Sequence, residues 1–246
     1  MSASISAKPA PGATPSSLAN ELRIGGLARL SSCDWPGELV ATVFCQGCPW
    51  ACRYCHNPHL RPADLTGEMD WPAVVRFLRQ RVGLLDGVVF SGGEPTLQAG
   101  LGAAMRAVRD LGFRVGLHTA GPYPERLAEA LPLVDWVGFD AKAPFSAYER
   151  VTGVAGSGGR ARASLQRLLA SGVAYEVRTT VHPDLLDDDA LAQLVDELAE
   201  IGVARYAVQA FRSAGCRDEA LNRTVVASPA RLPESVRGRI AEVVNR

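Results

Sequence analysis

From residue 38 onward the chain repeats one pattern that few folds accommodate: a short apolar run, a polar cluster, then a stretch with helical spacing. ELVATVF (38–44), GVVFSGG (87–93), RVGLHTAG (114–121), DWVGFDAK (135–142), AYEVRTTV (174–181) and RYAVQAF (205–211) read as buried parallel strands. Between them, 69–82, 97–112, 124–131, 160–172 and 187–202 carry helical periodicity. Asp70 is placed to cap the first of these with Pro72 in its first turn, and glycines stop those ending at 112 and 172. PESVRGRIAEVVN (233–245) predicts a closing amphipathic helix, and GVAGSGG (153–159) a mobile loop. Such alternation implies an α/β fold with right-handed crossovers, either an open doubly wound sheet or an incomplete barrel. In both, function gathers beyond the C-terminal ends of the strands. The polar clusters sit there: four cysteines after the first strand, SGGE after the second, HTAG, DAK and RTTVH after the next three.

The first 20 residues, rich in Ala, Ser and Pro, predict a disordered tail, which leaves 21–246 as one core domain with a C-terminal helix. They lack the apolar h-region of a signal peptide, and no stretch reaches the ~20 apolar residues of a membrane span. Lys plus Arg equals Asp plus Glu and no basic run occurs, so neither nucleic acid nor an anionic membrane is an expected partner. The expected compartment is the cytoplasm, where thiols stay reduced and clustered cysteines bind metal.

Four of the six cysteines fall within FCQGCPWACRYCHNP (44–58). A secreted disulfide framework suits neither the length nor the expected compartment. A structural zinc site pairs two C-x2-C knuckles ~12–20 residues apart, whereas Cys45-x2-Cys48 and Cys52-x2-Cys55 are separated by three residues. A single loop wrapped around zinc stays open as an alternative. Counted from Cys48, the pattern is C-x3-C-x2-C. Three thiolates can each take one iron of a [4Fe–4S] cube, and the fourth iron is then open to a substrate.

This motif resembles that of the radical S-adenosylmethionine (SAM) enzymes, and the resemblance implies an incomplete (β/α)6 TIM-like barrel. It implies that Cys48, Cys52 and Cys55 hold a [4Fe–4S] cluster whose open iron chelates SAM. The reduced cluster then splits the sulfonium to a 5′-deoxyadenosyl radical. The other strand ends extend the likeness. Gly92, Gly93 and Glu94 look like the family's GGE element, where Glu94 or nearby carbonyls receive the SAM ammonium. Tyr54 matches an aromatic position beside the adenine, and His118 and Thr119 a polar position near the ribose. Asp140 and Lys142 resemble a D-x-K element, with Lys142 meeting the SAM carboxylate. Arg178 matches a basic position near that carboxylate or the cluster, and Gln209 a polar one near the nucleoside. His56 and His182 are expected as loop or supporting histidines. Cys33, Cys45 and Cys216 fall outside the triad. Cys45 and Cys216 are expected as small buried residues, although Cys45 is close enough to Cys48 to compete for iron.

The wider segment resembles one branch, the activating proteins of anaerobic ribonucleoside-triphosphate reductase. DWPG (34–37), QGC (46–48), YCHNP (54–58), FDAK (139–142), YERVTG (148–153) and RTTV (178–181) carry the likeness, which runs from about residue 22 to 222. It implies an activase that makes a glycyl radical on the reductase and draws electrons from a flavodoxin or ferredoxin. Two alternatives stay open: a radical SAM enzyme acting on a small molecule in cofactor biosynthesis, and a non-catalytic metal-binding protein.

Overall fold

The structure, a computed structural model, describes residues 15–226 and 229–246. Eight strands lie side by side in chain order in one sheet. They are β1 (Ile24–Ser31), β2 (Val40–Cys45), β3 (Gly87–Gly92), β4 (Arg114–Thr119), β5 (Trp136–Asp140), β6 (Ala174–Val181), β7 (Arg205–Ala210) and β8 (Glu242–Asn245). β1 runs antiparallel to β2, and every later neighbour is parallel. The order runs from β1 to β8 without return, so the barrel is partial. The six strands predicted from sequence are β2 to β7. The helices are α1 (Pro15–Ala19), α2 (Trp71–Arg79), α3 (Leu101–Asp110), α4 (Pro124–Ala130), α5 (Tyr148–Thr152), α6 (Ser157–Ser171), α7 (Asp188–Glu200) and α8 (Glu219–Arg223). Asp70 caps α2 as expected, its Oδ1 accepting from the Ala73 N–H at 2.7 Å. No helix among the described residues is long and apolar enough to cross a membrane.

Strand alternation divides the sheet into two faces. Val43, Val88, Phe90, Leu117, Val137, Phe139, Val177 and Val208 form one core with helical residues such as Leu78, Met105, Leu165 and Leu194. The intervening positions face inward and turn polar toward the strand ends: Thr42, Ser91, His118, Asp140 and Arg178. At the N-terminal end the inner face is closed by Trp35 of the DWPG segment. Its ring stacks on Trp136 at 5.5 Å between centroids, and Val40 and Val89 complete this small second core. A Cβ on Gly116 would stand 2.9 Å from the Trp35 ring, so glycine there makes room for this floor.

Three expectations need correction, and one strand was missed. The closing helix at 233–245 does not form. A short 3-10 turn (Glu234–Val236) is followed by Gly238 at φ +81°, and β8 then adds to β7 as a parallel strand. Adjacent β-branched residues, Val243 and Val244, suit that edge better than a helix. Residues 1–14 of the predicted tail lie outside the described residues. The rest of it, 15–19, is helix α1, with Ala19 buried and the Leu18 carbonyl 2.5 Å from where a Cβ on Gly100 would stand. The glycine-rich stretch 153–159 is a tight turn that runs straight into α6, with Gly153 and Gly156 in the left-handed region. β1 was not anticipated, because IGGLARLS carries two glycines and a partly exposed face.

Truncation of the floor tests its weight. Trp35→Ala is expected to lower stability by about 3 kcal/mol, the usual cost of emptying a buried aromatic site, measured by urea unfolding.

Candidate active site

β2 ends at Cys45 and delivers the chain into a loop that is tied on three sides. At its base, Gln46 Nε2 donates to the carbonyls of His59 (3.2 Å) and Pro62 (2.8 Å). The Gly47 and Cys48 N–H groups donate to Leu60 and Arg61 carbonyls at 2.7 and 3.0 Å. On the second side, Ala51 and Arg53 N–H groups donate to the carbonyls of Thr152 (2.8 Å) and Val151 (3.3 Å), at the end of α5. On the third, Arg53 pairs with Asp218 at 2.8 Å, and Gly215 packs so tightly on His56 that a Cβ would stand 2.2 Å from its carbonyl. Cys216 is buried there, its Sγ 3.5 Å from the Arg53 carbonyl.

Cys48, Cys52 and Cys55 are free, partly buried, and line one cavity. Burial pushes the Cys48 thiol up to about 12, helped by Glu94 and opposed by a hydrogen bond from the Trp50 backbone. Cys52 is raised in the same way, with Lys142 opposing. Such thiols become thiolates when a cation binds. Cys45 differs. It is fully buried within β2, pairs with Gly92, does not line the cavity, and burial pushes its thiol far upward. Cys33 is exposed and lines a neighbouring cavity.

The glycines of SGGE make room for backbone as well as for any ligand. Gly92 sits at φ +107°, and a Cβ there would stand 2.4 Å from the Cys45 nitrogen. On Gly93 it would stand 2.3 Å from the Gly47 carbonyl oxygen. This contact lets the Gly93 N–H donate to Cys45 (2.9 Å) and the Glu94 N–H to Gly47 (2.8 Å). Glu94 is 2% exposed. Its Oε1 accepts from Thr96 N and Oγ1 and from Thr119 Oγ1, and Oε2 accepts from Ala120 N at 3.0 Å. Glu94 and Thr119 thus form a strut between the ends of β3 and β4, a role the sequence pattern did not reveal.

Charge gathers on the inner face. Asp140 accepts from Arg178 Nε at 3.0 Å and lies 3.5 Å from Lys142 Nζ. Burial works against its ionisation, but Arg178, Lys142 and His118 outweigh it and hold the carboxyl below its ordinary range. Lys142 Nζ also lies 5.5 Å from the centre of the Tyr54 ring. Desolvation opposes its charge, yet Tyr54 and Asp140 keep it an ammonium. The Tyr148 hydroxyl accepts from Lys142 N (3.0 Å) and donates to the Asp140 carbonyl (3.3 Å), which fixes this strand end. His118 Nε2 is 2.6 Å from the Asp34 carbonyl and Nδ1 is 3.1 Å from Ser91 Oγ. Arg178 Nη1 also lies 3.1 Å from the same Nε2. Burial, then Arg178, pushes His118 down to about 4, so it is neutral.

Of the residues singled out in the sequence, Tyr54, Gly92, Gly93, Glu94, His118, Thr119, Asp140, Lys142 and Arg178 line the same cavity as the three thiols. Gln209 does not; it lines the adjoining cavity, which shares His56, His118, Asp140, Arg178 and Thr180 with the first. His182 is wholly buried, its Nε2 donating to the Leu221 carbonyl at 3.0 Å. Trp50, Ser91 and Thr180 also line the thiol cavity and were not anticipated. Ser91 and Thr180 fall within the SGGE and RTTVH clusters, and Trp50 is a large aromatic inside the C-x3-C spacing.

Three buried polar atoms of this loop meet no partner among the described residues: Trp50 Nε1, His56 Nε2 and Arg61 Nε. An unmet buried polar group costs about 1–3 kcal/mol, and two of these three residues, Trp50 and His56, line the thiol cavity, which suits a group the chain does not supply. Among the described residues no three His, Cys, Asp or Glu side chains gather closely enough for one metal ion. The three thiols that line the cavity are the donor set of a cluster with one iron per thiol.

A partial parallel barrel, with a three-thiol loop after its first parallel strand and charged residues at the strand ends, defines an enzyme class built on an iron–sulfur cluster. The Radical SAM superfamily model matches residues 42–195, and the chain belongs to that superfamily. Its members use a [4Fe–4S] cluster and SAM, and the donors present fit both. A Methanocaldococcus jannaschii protein provisionally named a glycyl-radical enzyme activating enzyme is 28% identical over 205 residues, 80% of this chain and 82% of its own length. The pyruvate formate-lyase-activating enzyme of Clostridium pasteurianum is 33% identical over 49% of this chain, and the chain spans about half (52%) of that relative. The crystal structure of QueE from Escherichia coli shares the fold, with a TM-score of 0.52 at 18% identity, covering 86% of this chain and 96% of its own. The chain is therefore a radical SAM enzyme homologous to glycyl-radical enzyme activases.

His118 links the site to stability. Its pKa is depressed on folding, so its contribution is present above the unfolded value of 6.5 and is lost as pH falls toward about 4. Between pH 7 and pH 5 wild-type stability is expected to fall by about 2 kcal/mol more than that of His118→Gln, measured by urea unfolding across that range.

Proposed function

We propose that this enzyme activates an anaerobic ribonucleoside-triphosphate reductase by generating a glycyl radical on it, with a flavodoxin or ferredoxin as electron donor. The observation that carries this reading is the architecture around the thiol loop. The elements by which the chain resembles that branch are the ones that build the site. DWPG forms the floor, QGC ties the loop base, YERVTG braces its outer side, and FDAK and RTTV bring the charges. The similarity to the M. jannaschii protein over most of both chains supports the activase class.

Cys48, Cys52 and Cys55 would hold the cluster, and the open iron would take the amino and carboxylate groups of SAM. A bound, reduced cluster would supply the one-electron reductive cleavage of SAM that lets a glycine Cα hydrogen be taken from the partner. The chain's own residues bind and orient. Lys142, kept cationic between Asp140 and the Tyr54 ring, is placed to meet a carboxylate, with Arg178 as the second cation on the same wall. Tyr54 offers an aromatic surface for the adenine, and neutral His118 with Thr119 and the Gly92–Gly93 backbone presents polar groups to the ribose and ammonium. Glu94 acts by holding two strand ends, its Oε2 taken by the Ala120 N–H. The adjoining cavity, of ≈ 610 Å³ and reaching Gln209, gives a partner's glycine-bearing segment a way to the shared wall.

Two measurements test this reading. Cys48→Ala, Cys52→Ala and Cys55→Ala are each expected to abolish SAM cleavage, with Cys45→Ala keeping its iron and sulfide after anaerobic reconstitution. Loss of the cluster in the Cys45 variant would overturn the ligand set. Incubation of the reduced enzyme with SAM and the reductase is expected to give a glycyl doublet in electron paramagnetic resonance. 5′-Deoxyadenosine without a doublet would point instead to a small-molecule substrate.

A further inference from the structure

Trp50 lies between two of the three thiols, in the segment Cys48-Pro-Trp-Ala-Cys52. It is 2% exposed and lines their cavity. Its indole is held edge-on against Tyr148, with centroids 5.8 Å apart and planes at 73°. Tyr148 is itself anchored by hydrogen bonds to Lys142 N and the Asp140 carbonyl. The indole therefore has a fixed orientation, yet its Nε1–H meets no acceptor among the described residues. Buried tryptophan N–H groups normally find a partner, and one left unmet costs about 1–3 kcal/mol. The backbone N–H of the same residue already points at the Cys48 sulfur. The acceptors that come to this cavity with a cluster are its sulfurs.

We infer that the Trp50 indole N–H donates a hydrogen bond to a sulfur of the cluster, and that this bond raises the cluster's reduction potential. The reduced cluster carries one more negative charge than the oxidised one. A donor fixed beside its sulfurs therefore stabilises the reduced form more, and hydrogen bonds to sulfur are among the factors that set such potentials. Trp50 makes the cluster easier to reduce by the donor protein while leaving the open iron untouched. The inference rests on Cys48, Cys52 and Cys55 as the cluster ligands.

The test compares wild type with Trp50→Phe, and with 3-benzothienylalanine at position 50, which keeps the indole shape and replaces N–H by sulfur. Iron content and visible absorption after anaerobic reconstitution first report whether the cluster assembles. Failure in the wild type would overturn the ligand assignment, a result distinct from any effect of Trp50. In a redox titration without SAM, both variants are expected to show a reduced-to-oxidised ratio about tenfold lower at a fixed potential, about 59 mV for one electron. Both are also expected to lose one exchangeable-proton coupling in the double-resonance spectrum of the reduced cluster. If the benzothienyl variant assembles a cluster with wild-type potential and couplings, the inference is overturned. A change confined to SAM affinity would also overturn it, placing the donor on SAM instead of sulfur.

Discussion

The site depends on one backbone contact. The end of β3 lies against the cysteine loop, with the N–H groups of Gly93 and Glu94 donating to the carbonyls of Cys45 and Gly47. No side chain takes part, and none would fit: a Cβ on either Gly92 or Gly93 would collide with main-chain atoms that cannot rotate away. This contact joins the first two parallel strands beyond their last ladder bonds. It sets how far the three thiols stand from the inner face of the sheet. The Glu94 strut carries the same constraint to β4, and Asp140 with Arg178 carries it across β5 and β6.

Electrostatics then fix which inner residues remain charged. Asp140 stands between two cations, and each side of this arrangement keeps the other ionised against the cost of burial. Removing the carboxylate would leave two desolvated cations facing each other, which is why the triad holds together as a unit. His118, a neighbour of the same group, is neutral for the complementary reason: a nearby guanidinium and a dry setting both disfavour a third positive charge.

Much of this was legible in the sequence, and the gaps have physical causes. Strong apolar periodicity disclosed β2 to β7, because those strands are covered by helices on one face. β1 escaped because its glycines and exposed side chains break the pattern, and β8 because RIAEVVN fits a helix as well as a strand until the free edge of β7 is known. At the site, the thiols and the D-x-K pair were readable because their spacing carries the chemistry. The Glu94 strut was not, since its partners Thr96, Thr119 and Ala120 come from two strand ends and no local spacing connects them. Gln209 was expected near the nucleoside from the family resemblance, and the structure sets it in the second cavity, on β7.

That second cavity gives the partial barrel a further property. His56, His118, Asp140, Arg178 and Thr180 have one cavity on one side and its neighbour on the other, like a partition between two rooms. On the function proposed above, a nucleotide in one cavity and a partner's segment in the other would touch the same five side chains, and any effect of one on the other's affinity would be returned by the same factor.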